Sequence, residues 1–564
     1  MRRAAALLGA GSLLLAASPA AAQTAGSAGA ARGTEAVAPP RDPNELVSPP
    51  SLEFPPVGRV RTGENVLAIA RRVKRVRQTV ARYPGHTTAA YLKGASRWQV
   101  SFFRRQRRGE QRKEIAQVLI DDRSGAVLEA WTGFQVPWTM ARGYPGAFGR
   151  KVNALYVWIP LCLLFVLPFV DPRRPFRLLH LDLLVIAGLF SASLAFFNHG
   201  KIGVSVPLAY PPLVYLLARM LFAARPQRGP PRPVRLLVPV SWLTVGLIFL
   251  VGFRVGLNVV NSNVIDVGYA GVIGADRLMD GTRLYGSFPA GNEHGDTYGP
   301  VNYYAYVPFE QALPWSGAWD DLPAAHGAAV FFDLLTILLL WLLGRRLRGP
   351  PLGIALAYAW AACPFTLFAL SSNSNDSFLA ALVVGAVLVA ASPPARGALA
   401  ALAALTKFAP LALVPLLASY RDPDRRTRQS RPRELAVFAL VFAATAAVCL
   451  LPVLLDGGLR LFYERTVEYQ NERGSPFSIW GFVGGLDGAQ TAVQVAAALL
   501  AAGVAFRPRE RDAVTLSALA AAVLIAVQLG VTHWFYLYIV WFLPLVLVAL
   551  LARGLEPRDA RGTR

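Results

Sequence analysis

The chain has 564 residues, 54% of them hydrophobic, with a mean hydropathy of +0.40 and 57 basic against 34 acidic residues. That composition excludes an ordinary soluble protein, because the apolar residues fall in runs of about 17 to 24, the length that crosses roughly 30 Å of hydrocarbon. The net charge of +23 does not indicate nucleic acid, since much of the excess sits in short loops between apolar runs, where basic residues set membrane topology.

Residues 1–23 carry Arg2 and Arg3, an apolar centre and an Ala20-Ala21-Ala22 ending, and read as a secretory signal, with an uncleaved anchor helix as the alternative. Residues 24–60 are rich in Pro, Ala, Gly and Ser and read as a flexible linker. Residues 61–150 read as a small extracytoplasmic α+β module. A basic helical pattern over 61–83 precedes strand-like runs at Arg97–Phe103 and Ile115–Asp121, a turn closing at Gly125, and a further strand. Trp98-Gln99-Val100 and Val118-Leu119-Ile120-Asp121 with Gly125 make this stretch similar to PepSY-type modules, a resemblance that implies an accessory role and brings no catalytic residues.

Apolar runs then follow at about 153–170, 178–197, 203–223, 234–256, 326–343, 352–370, 377–392, 434–455, 489–506, 513–531 and 536–552. Residues 151–230 are taken as accessory transmembrane helices and 231–564 as the catalytic membrane region. The run Gly397–Tyr420 has arginines at both ends, and a single crossing would put the basic loop after it on the outside, against the charge bias. It therefore reads as a re-entrant hairpin broken near Lys407 and Pro410, a backbone tolerated at membrane depth only inside protein or along a cavity. The expected fold is an all-α polytopic membrane protein of about eleven transmembrane helices plus that hairpin, with the large polar loops outside and the C-terminus cytoplasmic. Cys162, Cys363 and Cys449 each fall within a predicted span, and no CxxC pair is present.

The longest polar interruption runs from Asn261 to Gln311, and eight carboxylates against two arginines lie between Asn261 and Ala325. Asp266 stands where the preceding helix leaves the lipid, and an ionisable group there is a functional candidate by default. Asp266, Tyr269, Ala270, Ile273 and Arg277 share a face if this stretch is a short interfacial helix ended by Gly281, with Tyr285 as a headgroup-level anchor. A second aromatic segment starts at Tyr298-Gly299-Pro300. Glu293, His294 and Asp296 could hold a divalent metal or simply form a polar loop; no metal or other cofactor is assigned. Walker, HExxH, Gly-x-Ser-x-Gly and zinc-ligand spacings do not occur.

The run from Asp266 to Tyr285 followed by Tyr298-x-Pro300, Pro364 with Ser372-Asn373-Ser374-Asn375-Asp376, Leu405-Thr406-Lys407-Phe408-Ala409-Pro410, and Arg473 with Ser478-Ile479-Trp480 occur in that order. Together they resemble the GT-C glycosyltransferases, in particular the polyprenyl-phosphate-dependent mannosyltransferase-like branch, over about residues 234–552. The resemblance implies transfer of a sugar, mannose or arabinofuranose, from a polyprenyl phosphate to a glycan or glycolipid at the outer membrane face, with Asp266 as general base. The chemistry is consistent with one carboxylate: phosphate leaves without protonation, so only the acceptor hydroxyl needs a base, whereas glycoside hydrolysis canonically uses two. Charge developing on the phosphate wants cations, and the candidates are Lys407, the only lysine after Lys201, and Arg473.

Substrate contacts are expected from Tyr269, Tyr285, Tyr298, Asn375, Asp376, His533 and Tyr536, although Asp376 also suits a helix N-terminus and His533–Tyr536 an interfacial aromatic belt. The other readings are a transporter or lipid flippase, against which stands the lack of internal repeats, and a non-catalytic envelope scaffold.

Overall fold

A computed structural model of the chain describes residues 46–106, 112–143, 148–225, 234–421, 431–508 and 511–556. The expected signal at 1–23 lies outside the described residues. The chain divides into two compact units, Met1–Val136 and Pro137–Arg564.

In the first unit, strands β1 (Leu46–Val47), β2 (Thr87–Lys93), β3 (Arg97–Phe103), β4 (Glu114–Asp121) and β5 (Val127–Thr132) form one antiparallel sheet in chain order. Helices α1 (Gly63–Arg72) and α2 (Lys74–Val80) bring Val66, Leu67, Ala70 and Val76 into one core with Trp98, Val100, Phe102, Val118 and Ile120. Thr62 starts α1 by accepting from the Asn65 amide. The basic residues Arg71, Arg72, Lys74, Arg75 and Arg77 stay on the exposed side. Asp122 fastens the chain entering the helices, accepting from Trp98 Nε1 at 2.8 Å and from the Val60 amide at 2.9 Å.

Within the stretch expected as linker, Leu46–Val47 pairs with β2. The strand β2 was not anticipated, since its Ala89-Ala90 centre blunts the alternation that marks a strand. The division between the two compact units falls after Val136, inside the stretch expected as the module.

The second unit is helical. Each apolar run corresponds to helix: α3 (Leu155–Val166), α4 (Leu178–Asn198), α5 (Ile202–Ala223), α6 (Val240–Val260), α7 (Asp266–Asp280, in the polar loop), α8 (Pro323–Arg348), α9 (Pro350–Ala362), α10 (Pro364–Ser371), α11 (Asp376–Leu388), α12 (Pro393–Ala404), α13 (Arg431–Asp456), α14 (Asp487–Gly503), α15 (Ala513–Leu529) and α16 (Ile539–Leu551). Among the described residues five helices are long and apolar enough to cross a membrane, α4, α5, α6, α8 and α13, and six if the pair α9 and α10, bent by 59°, counts as one.

Helices α9, α10, α11, α15 and α16 are buried on nearly every side, whereas α6 and α13 expose apolar side chains such as Trp242, Phe249, Leu440 and Val448. Apolar surface on the outside and close-packed alanine inside is the arrangement expected where lipid, not water, surrounds the bundle. Helix α12 stops at Ala404 and a 3₁₀ turn begins at Ala409, so the backbone is broken around Lys407.

One buried ion pair ties the bundle together. Arg254 on α6 grips Asp333 on α8 through two bonds, Nε to Oδ2 at 2.9 Å and Nη2 to Oδ1 at 2.5 Å. Trp360 Nε1 donates to the same Oδ1 at 2.8 Å, and Arg254 Nη1 donates to the Ala361 carbonyl at 3.0 Å beside the bend. Both charges are thus fully hydrogen-bonded, the condition for keeping them out of water.

Candidate active site

Asp266 is the first residue of α7, where a carboxylate suits the helix dipole, and its Oδ1 accepts from the Val267 amide at 3.0 Å. The start of α7 rests on the segment after α10: the Asn263 amide donates to the Ser371 carbonyl at 3.1 Å and the Ile265 amide to the Ser372 carbonyl at 3.3 Å. Gly268 permits that seat, because a Cβ there would lie 2.3 Å from the Asn373 carbonyl oxygen. The Ser371–Asn373 run therefore supports the helix that carries Asp266.

Lys407 sits in the break between α12 and the 3₁₀ turn that begins at Ala409. The Val301 amide donates to the Leu405 carbonyl at 3.2 Å, and a Cβ on Gly299 would be 1.9 Å from that oxygen, so only glycine lets the Tyr298 loop come this close. The Lys407 ammonium then lies 5.0 Å from the ring centre of Trp541, 5.5 Å from Tyr298 and 5.8 Å from Tyr538. Its ion-pair partner is Asp376, whose Oδ1 also accepts from Trp541 Nε1 at 2.7 Å.

Arg473 follows a short helical turn, Tyr469–Glu472. Its guanidinium is 5.6 Å from the Trp138 ring centre and 6.0 Å from that of Tyr469, and its Nε is buried without a hydrogen-bond partner.

Arg473 and Lys407 lie near enough to Asp266 for both charges to act on its carboxyl, so the three ionisable groups border one region. The Asp266 side chain is exposed to solvent at the first turn of α7. Burial pushes its carboxyl above the usual carboxylate range, while Arg473 most strongly, then the Val267 amide and Lys407, pull it back.

Of the other expected contacts, Tyr298 faces Lys407 and Asp376 is its counter-ion, so Asp376 does more than start α11. His533 lies beside the cleft, its Nδ1 2.9 Å from Ser475 Oγ; burial and the Arg473 charge hold the imidazole down to about 3, so it is neutral at working pH. The other four lie as follows. Tyr269 is buried beneath Trp319, 4.7 Å between ring centres. Tyr285 is buried against Phe462 and spends its hydroxyl on the Tyr298 carbonyl at 2.9 Å. Asn375 is fully buried, donating to Asn302 Oδ1. Tyr536 points the other way, its hydroxyl 2.7 Å from Ser193 Oγ. In each case the aromatic or amide group is consumed by packing that only the fold creates.

The rings that stand against Lys407 or Arg473 and were not anticipated are Tyr538, Trp541, Tyr469 and Trp138. Tyr538 and Trp541 stand three apart, and Tyr469 four before Arg473, spacings that place each pair on one helical face. Nothing in the sequence marks Trp138. Glu293, His294 and Asp296 do not converge: His294 stacks on Tyr469 at 4.4 Å, and Asp296 accepts from the Gly286 amide and from Arg465 Nε, each at 2.7 Å. Among the described residues no group of three or more His, Cys, Asp or Glu is arranged to hold a metal.

Residues 297–563 match the model of Glycosyltransferase family 87. The match contains Tyr298, Asp376, Lys407, Arg473 and Tyr538, and it begins after Asp266. No curated protein matches the chain. Among solved structures, ArnT from Cupriavidus metallidurans, crystallised with undecaprenyl phosphate, aligns at 17% identity and a TM-score of 0.40 over 56% of this chain and 60% of that one. The family match, together with the apolar helices, supports a membrane glycosyltransferase.

Proposed function

We propose that the protein transfers a sugar from a polyprenyl-phosphate donor to a hydroxyl of a cell-envelope glycan or glycolipid on the extracytoplasmic face, with Asp266 as general base. The observation that supports this reading is one carboxylate within the field of two cations, Lys407 and Arg473, each set against aromatic rings. Asp266 takes the proton from the acceptor hydroxyl as its oxygen attacks the anomeric carbon. The bond from that carbon to the phosphate oxygen breaks, the electron pair leaves with the phosphate, and the configuration inverts. Arg473 is the better phosphate contact, because its Nε has no protein partner, whereas Lys407 is already shared with Asp376. Tyr298, Tyr538 and Trp541 offer flat apolar faces to the sugar ring. The donor sugar is a mannose or an arabinofuranose.

The test is transfer in membranes supplied with labelled polyprenyl-phosphate sugar. Asp266→Asn should reduce turnover by about 10²- to 10⁴-fold, the usual contribution of a general base, while the protein still elutes as a folded species. Turnover at the wild-type rate in Asp266→Asn sinks the assignment.

A further inference from the structure

Arg473 stands against two aromatic rings, Trp138 at 5.6 Å and Tyr469 at 6.0 Å. Tyr469 is itself backed by His294, stacked at 4.4 Å with 20° between the rings. Trp138 is fixed from its other sides by Phe477 at 5.5 Å in edge contact and by His533 at 6.3 Å. The column Trp138, Arg473, Tyr469, His294 therefore draws on three separate parts of the chain. Trp138 precedes the segment that matches the glycosyltransferase family, which starts at residue 297.

A guanidinium on a flexible side chain loses entropy when it is fixed, and two aromatic rings packed against it reduce that freedom before any ligand arrives. The Nε left without a partner is the donor such a clamp would present to an anion. No carboxylate is ion-paired with Arg473 among the described residues. Its full charge is thus available, unlike that of Lys407.

We infer that Trp138 is a positioning residue for Arg473, so that the stretch preceding the first membrane helix completes the phosphate side of the cleft. The inference rests on the reading of the cleft as a phosphosugar site. Trp138 touches the phosphate only through Arg473, which separates its effect from that of Asp266 on the chemical step.

The experiment titrates undecaprenyl phosphate, without sugar, into the detergent-purified full chain and measures its Kd alongside the KM and kcat of sugar transfer. Trp138→Ala should weaken binding and raise KM by about three- to thirtyfold, the range of a partly desolvated cation–π contact, with kcat changed much less. Trp138→Phe should recover most of the loss, since it keeps a ring face. In Trp138→Ala/Arg473→Ala the two losses should not add, because both act through one guanidinium. Wild-type Kd and KM in Trp138→Ala, or fully additive losses, overturn the inference while leaving the glycosyltransferase reading intact. Should Trp138→Ala fail to fold, Trp138→Leu, which keeps bulk without a π face, must show the same Kd loss or the inference falls. A wild-type protein that binds no undecaprenyl phosphate overturns both.

Discussion

The ammonium of Lys407 is bonded to the carboxylate of Asp376, so the lysine in the break after α12 is one half of a buried ion pair and not a free cation. Its three aromatic neighbours keep water away and raise the cost of leaving either charge alone. Lys407→Met should therefore destabilise the protein by about 3–5 kcal/mol, and Lys407→Met/Asp376→Leu should recover much of it, the pattern of a broken versus a replaced buried pair. Thermal unfolding in detergent measures the cycle; additive losses would show that the two groups do not depend on each other.

The pH dependence of transfer should carry the mark of Asp266. A base must be deprotonated, and burial raises this carboxyl above the ordinary range against the pull of Arg473. Activity should then fall, as pH is lowered, at a pH where a free carboxylate would still be ionised. Arg473→Gln removes the strongest opposing charge, so the acid limb should move to higher pH as well as the rate dropping. An unmoved limb in kcat/KM would show that the group titrating there is not Asp266.

The Arg254–Asp333 pair predicts a stability effect away from the cleft. Asp333→Ala leaves a guanidinium buried among apolar helices and should cost about 3–5 kcal/mol. Asp333→Asn keeps an acceptor for Trp360 Nε1, seen at 2.8 Å, and should cost less. Both are read from unfolding midpoints, with the ordering of the two variants as the check.

Gly299→Ala should impair catalysis more than stability. The added Cβ would lie 1.9 Å from the Leu405 carbonyl oxygen, so the Tyr298 loop or the hairpin break must shift. A displacement near 1 Å at Tyr298 and Lys407 can lower kcat by about 10²-fold. A variant with wild-type kcat would mean that this close approach does not set the cleft.

The membrane character and the helical bundle were legible in the sequence because hydrocarbon thickness demands long unbroken apolar runs, and each run became helix. Asp266, Lys407 and Arg473 could also be singled out locally as candidates, since a charge at a membrane edge or within an apolar run is costly enough to stand out. The break around Lys407 showed in the run's length and its basic flanks, which fit neither one crossing nor two.

What surrounds those charges was decided by tertiary structure. Tyr285 and Tyr298 look alike as aromatic loop residues, yet one spends its hydroxyl holding the other's backbone, and only Tyr298 reaches Lys407. Likewise Tyr536 and Tyr538 are two residues apart at the start of one helix but face opposite neighbours, Ser193 and Lys407. Local pattern reports which residues are apolar or charged within a turn or two. The partners Trp138 for Arg473 and Asp376 for Lys407 come from distant parts of the chain, and a contact of that kind exists only once the helices have packed.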